Sequence, residues 1–191
     1  MYDNSISTLS ERLNVVYNAS VGAAVDPHLS PDANKVAFVI NDDLYFMDLS
    51  NDLTSSSSSL PTRLTTNGEN PGITCGLADY VAQEEMNRFR GFWWSDDSKM
   101  LAYTENDENH IPEYTILHQG KPDPKHKESH RYPFAGEDNP IVKLYVIDTN
   151  DDKKTSIPMI LVDEQSKHYG IDPNDFYIGR VGWWPDGSVM V

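Results

Sequence analysis

The chain has 191 residues, of which 38% are hydrophobic and 10% aromatic, and its formal net charge at pH 7 is −15. That length suffices for a domain with its own core, and the aromatic content argues against a disordered chain. The acidic excess argues against nucleic-acid binding, because contacts to phosphate groups need a basic surface. The sequence contains neither a run of about 18 apolar residues nor an apolar segment after Met1. It therefore predicts no membrane span and no signal peptide, and it favours a cytoplasmic location.

Three segments of the chain, residues 28–39, 93–104 and 183–191, share one pattern. In each, an apolar or aromatic strand end is followed by a polar turn and then by a β-rich strand. The turns are centred on aspartates at equivalent positions: Asp32, Asp97 and Asp186. An aspartate in such a turn bonds the backbone two residues further on, and a neighbouring glycine or asparagine tolerates a positive φ. The segments therefore predict three β-hairpins.

A second repeated element, at 41–49 and 142–148, carries a Leu-Tyr-x-x-Asp core and has the apolar pattern of strands. Two hairpins per unit give a four-stranded blade, so the sequence predicts an all-β fold, a partial β-propeller. The equivalent aspartates lie 65 and 89 residues apart, which leaves room for about three to four blades of about 40–45 residues. Because the last repeat stops at Val191 within a predicted strand, we interpret residues 1–191 as a truncated part of a propeller domain.

Three segments between the repeats have a different character. The serine run at 55–59 predicts a flexible hairpin tip or linker. Residues 78–90 predict one short helix, with Asp79 as its N-cap, two arginines near its C-terminus and Gly91 as its stop. Residues 120–136 are rich in proline, lysine and histidine and predict an extended arm.

The predicted helix carries two adjacent carboxylates, Glu84 and Glu85, and runs into an aromatic strand that contains Trp93 and Trp94. Adjacent carboxylates repel each other, and an ammonium group bound between them relieves the repulsion and donates charge-assisted hydrogen bonds. The residues alone leave two interpretations open. The pair is either a solvated acidic face or a site for a cationic group.

Two other constellations point away from metal binding. His126 and His130 have the spacing of a metal-binding pair, but they lie in the predicted arm without an evident third ligand. The segment 148–152 resembles the start of a calcium loop, yet Lys153 stands where that loop needs glycine and Met159 where it needs glutamate. We therefore predict a hairpin turn at 148–152 and no metal site.

The sequence contains no Gly-x-Ser-x-Gly motif and no phosphate-binding glycine loop. Its one cysteine, Cys75, excludes an intrachain disulfide and has no base matched to it. We expect that thiol to be an inert part of the core rather than a nucleophile. We therefore expect no catalytic residue, no cofactor and no activity in this chain alone.

Residues 79–94 resemble a motif of the dipeptidyl peptidase IV family, within the prolyl oligopeptidase superfamily. The propellers of that family carry an aromatic-Val-x-x-Glu-Glu helix followed by a Trp-Trp strand. Here the motif reads Tyr-Val-Ala-Gln-Glu84-Glu85, followed by Trp93-Trp94. In having a glutamine before the acidic pair, the chain resembles the cytosolic members of the family more than the cell-surface enzyme.

Two further segments carry the same resemblance. Residues 131–143 resemble the family's Tyr-Pro-x-x-Gly-x-x-Asn-Pro-x-Val-Lys pattern, and residues 103–108 resemble the end of the blade that carries the acidic pair. The resemblance covers about residues 24–191. The glutamate helix and the Tyr-Pro segment are specific signals, whereas the Ser-Pro-Asp hairpins occur in many propellers.

The resemblance implies that Glu84 and Glu85 bind the free α-amine of a peptide. It implies that the chain is the substrate-gating propeller of a serine-type dipeptidyl peptidase, which removes Xaa-Pro or Xaa-Ala dipeptides from peptide N-termini. The Ser-Asp-His triad would lie on an α/β-hydrolase domain absent from this chain. The resemblance also implies a homodimer formed through a longer segment that contains this arm, residues 110–136. The candidate dimer contacts are His110, Tyr114, Tyr132 and Pro133.

One departure from the family and two alternatives stay open. Members often place a substrate-binding arginine just before the first Ser-Pro hairpin, but residues 21–26 contain none, and Ala24 falls near the expected place. The alternatives are a non-enzymatic interaction propeller of the TolB type and a catalytically dead dipeptidyl peptidase homologue. The pair Glu84 and Glu85 favours the peptidase over the TolB type, whereas no residue separates an active protein from a dead one.

Overall fold

The structure is a computed structural model that describes residues 21–49, 60–118, 120, 127–151, 153–159 and 176–191. Within these residues the chain forms strands β1 to β13, one α-helix, α1, and a 3-10 turn at Asn67–Glu69. The linker predicted at 55–59 lies outside the described residues.

The first sheet has four antiparallel strands in sequential order. They are β1 (Val25–Leu29), β2 (Lys35–Ile40), β3 (Asp43–Asp48) and β4 (Thr62–Arg63). Strands β2 and β3 are joined by Asn41 and Asp42, whose φ angles are 48° and 65°. Two consecutive positive φ angles are what a type I′ hairpin turn needs, and asparagine and aspartate tolerate them better than most residues.

The second sheet is built on two eight-residue strands, β7 (Met100–Asp107) and β10 (Ile141–Asp148), which pair along their whole length. Strand β11 (Ser156–Pro158) pairs with β10. The other edge of β7 is shared by two short strands, β5 (Ile73–Cys75) and β6 (Phe92–Trp94). This sheet therefore also has the width of a four-stranded blade.

Between β7 and β10 the chain projects as a two-stranded ribbon of β8 (Glu113–Leu117) and β9 (Lys127–Arg131). All five residues of β8 are exposed. The ribbon confirms the predicted arm, and we use that name for residues 110–136. The arm also accounts for the longer interval of 89 residues between Asp97 and Asp186, because one blade contains the arm as an insertion.

A hairpin of β12 (Gly182–Trp183) and β13 (Val189–Met190) follows the second sheet. We predicted three to four blades, and the described residues contain the four-stranded first sheet, the five-stranded second sheet and this hairpin. The fold is all-β and has the architecture of a partial β-propeller, as predicted.

The three aspartate turns form as the sequence predicts. The carboxylates accept the backbone N–H two residues on, with distances of 3.0 Å at Asp32, 3.2 Å at Asp97 and 2.9 Å at Asp186. The positive φ falls on the residue after each aspartate, which is Ala33, Ser98 or Gly187. Only the third of these is a residue type that we expected there, so two of the turns hold an ordinary L-residue in the left-handed region.

The hydrophobic core lies between the sheets, because the strands of a blade have apolar residues on both faces. One cluster joins the first sheet, through residues such as Val39 and Phe46, to the second sheet, through Phe92 and Leu101. A second cluster joins the opposite face of the second sheet to the third hairpin; it contains Ala102, Val142, Leu144, Val146, Trp183 and Val189. Face-to-face stacking of successive sheets explains why β2 and β10 read as nearly continuous apolar runs. Among the described residues, no helix is long and apolar enough to cross a membrane.

Candidate functional site

Helix α1 (Tyr80–Met86) lies in a loop that leaves and re-enters the same edge of β7. Leu77 and Arg90 form an isolated β-bridge at the base of this loop. Thr104, at the middle of β7, donates its N–H to the carbonyl of Gly91 and accepts the N–H of Gly76, both at 2.8 Å. One buried residue of β7 therefore fixes both ends of the loop, and the helix is mounted on the most extensively paired strand of its blade.

The N-terminus of α1 forms as predicted, whereas its predicted C-terminus was wrong. The side chain of Asp79 accepts the N–H of Ala82 at 3.3 Å and caps the helix. The helix ends at Met86 because Asn87 adopts the left-handed conformation, with φ 51° and ψ 41°, and donates its N–H to the carbonyl of Ala82. Asparagine is the residue type after glycine that most often fills this position, and Gly91 is not the stop.

Gly91 has a different role, which is close backbone approach. A Cβ at this position would lie 2.4 Å from the carbonyl carbons of both Gly76 and Leu77. The two ends of the inserted loop therefore come together only because Gly91 has no side chain.

Arg88, which we predicted to lie near the C-terminus of the helix, follows the helix end and is buried. Its Nε donates to the carbonyl of Ile178 at 3.0 Å, and Nη1 donates to the carbonyl of Arg90 at 2.9 Å. Nη2 lies 3.4 Å from the capping carboxylate of Asp79. The guanidinium also lies over the ring of Trp93, 5.9 Å from its centroid. One side chain thus ties the helix cap to the strand that follows and to the third hairpin region.

The two predicted site residues, Glu84 and Glu85, are both exposed on the last turns of α1. Their side chains leave the helix about 100° apart, since a helix turns 3.6 residues per revolution. Neither carboxylate accepts a hydrogen bond or forms an ion pair within the part of the chain that the structure describes. The C-terminal end of a helix carries a partial negative charge, so acidic groups there are unfavourable. Stability therefore does not explain this acidic pair.

An aromatic cluster connects α1 to the arm. The rings of Tyr80 and Tyr132 meet edge to face with centroids 4.9 Å apart, and Tyr132 meets Phe134 at 5.4 Å. Tyr114 of β8 contacts Phe134 at 6.1 Å. The pKa of Tyr80 is raised, chiefly by the neighbouring hydroxyl of Tyr132 and further by burial and by the charges of the two glutamates. Since the resemblance rested on sequence order, it did not reveal that this cluster borders the acidic helix.

A cavity of about 640 Å³ lies between α1 and the arm. Its wall includes the four rings of the aromatic cluster together with Leu77 and Ile116. Three charged side chains also reach it: Asp79, Glu108 and Arg131. The pKa of Glu108 is raised by burial and by Asp79, against a smaller opposing effect of Arg131. The cavity did not follow from the sequence, because its two walls come from segments about 30 residues apart.

The candidate dimer residues occupy different parts of the arm. Tyr114 is exposed on β8, and the ring of Tyr132 contacts the ring of Tyr80 on α1. His110 is exposed at the base of the arm, with Nε2 2.9 Å from the carbonyl of Asn139. Pro133 is half-buried. Tyr114 and Tyr132 therefore share one aromatic cluster, since both contact Phe134, and His110 and Pro133 are not among its rings.

Two histidines of the arm, His118 and His130, contact one carboxylate. Nε2 of His118 lies 2.5 Å from Glu128 Oε1, and Nε2 of His130 lies 3.2 Å from Glu128 Oε2. These contacts hold the pKa of Glu128 below its usual value. His126 lies outside the described residues, and within them no group of three or more metal-binding side chains is arranged to hold an ion.

Cys75 and the 148–152 segment have the structural roles that we predicted. Burial raises the pKa of Cys75 to about 12, so its thiol stays protonated and unreactive in the core. The segment after β10 forms a turn in which Asp148 accepts the N–H of Asn150 at 2.8 Å. Residue 152 itself lies outside the described residues.

An exposed arginine lies beside the strand that lacks the family's arginine. Nη2 of Arg90 lies 3.1 Å from Nδ1 of His28, and Nε2 of that histidine lies 2.8 Å from Asp26. This chain of contacts begins two residues after Ala24 and was not visible in the sequence.

Comparison with known proteins decides the family. A family model described as the dipeptidyl peptidase IV (DPP IV) N-terminal region matches residues 2–191. The chain belongs to the dipeptidyl peptidase IV family. Within that family it is 32% identical over 170 residues to a probable dipeptidyl peptidase 4 of Trichophyton verrucosum, covering 85% of this chain and 20% of the relative. It is 28% identical over 200 residues to human dipeptidyl peptidase 8, covering 93% of this chain and 21% of the relative.

A solved dipeptidyl peptidase IV family structure has the same fold. The crystal structure of Porphyromonas gingivalis dipeptidyl peptidase 4 superposes with a TM-score of 0.67 and 27% identity, over 86% of this chain and 21% of that one. The chain thus spans about a fifth of the length of these relatives. The recognition of the family and of a partial propeller from sequence is confirmed.

Proposed function

We propose that this chain is the part of a serine-type dipeptidyl peptidase that anchors the N-terminus of a peptide substrate. Glu84 and Glu85 bind the free α-amine, and the enzyme removes Xaa-Pro or Xaa-Ala dipeptides. The proposal is supported by the relatives of this chain that are named dipeptidyl peptidases. The catalytic serine, aspartate and histidine belong to an α/β-hydrolase domain beyond these 191 residues.

The observation that carries the proposal is the unfavourable placement of the acidic pair. Glu84 and Glu85 stand at the negative end of α1 with no cation paired to them in the described residues. Selection for stability would not place two carboxylates there. A peptide α-amine has a pKa of about 7.7–8.0 and is mostly cationic at neutral pH, so it supplies the missing charge.

An amine anchor also explains why a dipeptide would be released. Two extended residues span at most about 7 Å, so a fixed amine presents the bond after the second residue to a nucleophile at a fixed place. The rigid mounting of α1 supports this geometry, because both ends of its loop bond to Thr104 and its cap bonds to Arg88. Positional accuracy of this kind comes from rigid elements rather than from mobile loops.

We further propose that the arm contributes to a homodimer of the whole protein. Its strand β8 is exposed throughout and carries Tyr114, Ile116 and Leu117 on a narrow ribbon. Exposed apolar side chains on a projecting hairpin are typical of association surfaces. Leu117→Ser should lower the dimer fraction of the full-length protein in sedimentation experiments, and Glu113→Gln on the same strand should not.

The test of the proposed function compares two substrates on the full-length protein. One is an Ala-Pro chromogenic amide with a free α-amine, and the other is its N-acetylated form. Cleavage of the free amine alone supports the amine anchor. Equal cleavage of both refutes the anchor, and cleavage of neither favours a dead homologue or an interaction propeller of the TolB type.

A further inference from the structure

We propose that the cavity between α1 and the arm binds a basic side chain of a peptide, that is, an ammonium or guanidinium group on an apolar stem. This site lies beyond the α-amine anchor and does not depend on it. Its volume of about 640 Å³ lies in the range of small-ligand pockets.

The wall of the cavity is an incomplete aromatic cage. Tyr80 and Tyr132 stand edge to face, Phe134 packs against Tyr132, and Tyr114 packs against Phe134. All four side chains are more than a third exposed although they contact one another. Ring faces that remain open attract cations through their quadrupoles, and the apolar edges accept a hydrocarbon stem.

Glu108 supplies a carboxylate at this cage. It is half-buried, and its carboxylate accepts no hydrogen bond within the described residues. Burial raises the pKa of Glu108, which means that its charged form is poorly compensated where it stands. A cation that enters the cavity supplies this compensation.

The surrounding charges favour a cation over an anion. Asp79 is already paired with Arg88, and Nη1 of Arg131 is held by the carbonyl of Ile111 at 2.7 Å. Among the lining residues, Arg131 opposes a cation, and so does His130 when it carries a proton. The effect of Arg131 on the pKa of Glu108 is smaller than the effects of burial and of Asp79. The charges of the two glutamates of α1 also contribute to raising the pKa of Tyr80, so negative charge lies near this wall of the cavity.

The experiment uses the full-length protein that contains this chain and two peptides that lack a free α-amine. They are acetyl-Gly-Lys-Gly-amide and acetyl-Gly-norleucine-Gly-amide, which differ only in the ammonium group. Saturation-transfer NMR titrations measure the dissociation constant of each. We expect the lysine peptide to bind about tenfold more tightly, because a charged hydrogen bond contributes about 1.5 kcal/mol.

Variants locate the site. Glu108→Gln should weaken the lysine peptide about tenfold, and Phe134→Leu should weaken it about threefold through loss of one ring face. Glu113→Gln, which removes an exposed charge outside the cavity, should change nothing. Thermal unfolding of each variant identifies any that fails to fold.

Two results would overturn the proposal. Equal binding of the two peptides would mean that the cavity recognises only the apolar stem. Loss of binding in Glu84→Gln, with none in Glu108→Gln, would assign the cation to the α-amine anchor instead. Neither result depends on peptidase activity, so failure of this site and failure of the proposed function are separable.

Discussion

Arg88 links the site to the rest of the molecule at the scale of a single residue. It is buried, and it bonds to two carbonyls and to the carboxylate of Asp79. Loss of its guanidinium removes the donor to the carbonyls of Ile178 and Arg90 and leaves the buried carboxylate of Asp79 without its cation. The contacts that are lost include the one with Asp79, the residue that caps α1. The position of Glu84 and Glu85 therefore depends on Arg88.

We therefore expect Arg88→Met to lower the free energy of unfolding by about 3 kcal/mol, as for other broken buried pairs. Arg88→Lys should recover little, because an ammonium cannot reach three acceptors in the geometry of a planar fork. The exposed Arg90→Met is the control and should cost less than about 1 kcal/mol. Urea unfolding measures all three, and equal effects of the two methionine variants would contradict this role of Arg88.

Asp32 makes a pH prediction possible. Its pKa is lowered to about 2, first by the hydroxyl of Ser30 and then by the backbone N–H of Asn34. A carboxylate whose pKa is lower in the folded state stabilises the fold above its unfolded pKa, about 3.9. That contribution is lost as the pH falls from about 4 towards 2.

The difference in melting temperature between wild type and Asp32→Asn should therefore be constant above pH 5 and shrink as the pH approaches 2. Melting temperatures followed by circular dichroism check this expectation. A difference that grows with acidification would show that the turn does not depend on the carboxylate charge.

At the scale of elements, the loop between Gly76 and Gly91 distinguishes this blade, because it carries α1 and with it the candidate site. The sequence signals for α1 were local and partly sufficient. Asp79 was recognised as the cap, but the helix end was misplaced, because asparagine at position 87 is a weaker stop signal than the glycine at 91. The actual role of Gly91, close approach to Gly76, is a contact between distant parts of the chain. Local patterns do not encode such contacts.

Gly91→Ala tests whether the loop is closed by backbone approach. The new Cβ meets the backbone of Gly76 and Leu77 at 2.4 Å, and the backbone cannot move aside as a flexible side chain would. We expect a loss of about 2–3 kcal/mol in unfolding free energy. Gly179→Ala is the matched control, since its Cβ would meet nothing within 4 Å. Equal stability of the two variants would contradict the account of the loop.

The residues of the site that could be predicted belong to local sequence patterns, and those that could not depend on contacts between distant segments. Glu84 and Glu85 were identified because adjacent carboxylates on a helix form a pattern in sequence. Glu108 was not, since its importance comes from burial beside Asp79 and from the rings of the arm. The blades followed from repeats, whereas packing between them determined where Arg88 and the cavity lie.

At the scale of the whole molecule, the described residues leave apolar surface uncovered. Trp184, Met190 and Val191 at the third hairpin are each 47% or more exposed, and β8 is exposed along its length. Sheet edges and blade faces of this kind associate with other chains. The isolated 191-residue chain should therefore form oligomers whose proportion rises with concentration. A single monomeric peak at high concentration in size-exclusion chromatography with light scattering would contradict this prediction.

The central claim is that the acidic pair anchors a peptide amine, and one kinetic comparison tests it most directly. The ratio of kcat/KM for the free-amine substrate to that for its acetylated form should be measured in Glu84→Gln, Glu85→Gln and the control Glu113→Gln. We predict that the ratio falls about tenfold or more in the first two variants, because each removes a charged hydrogen bond, and that it is unchanged in the control. A ratio that matches wild type in both variants of the pair would contradict the account.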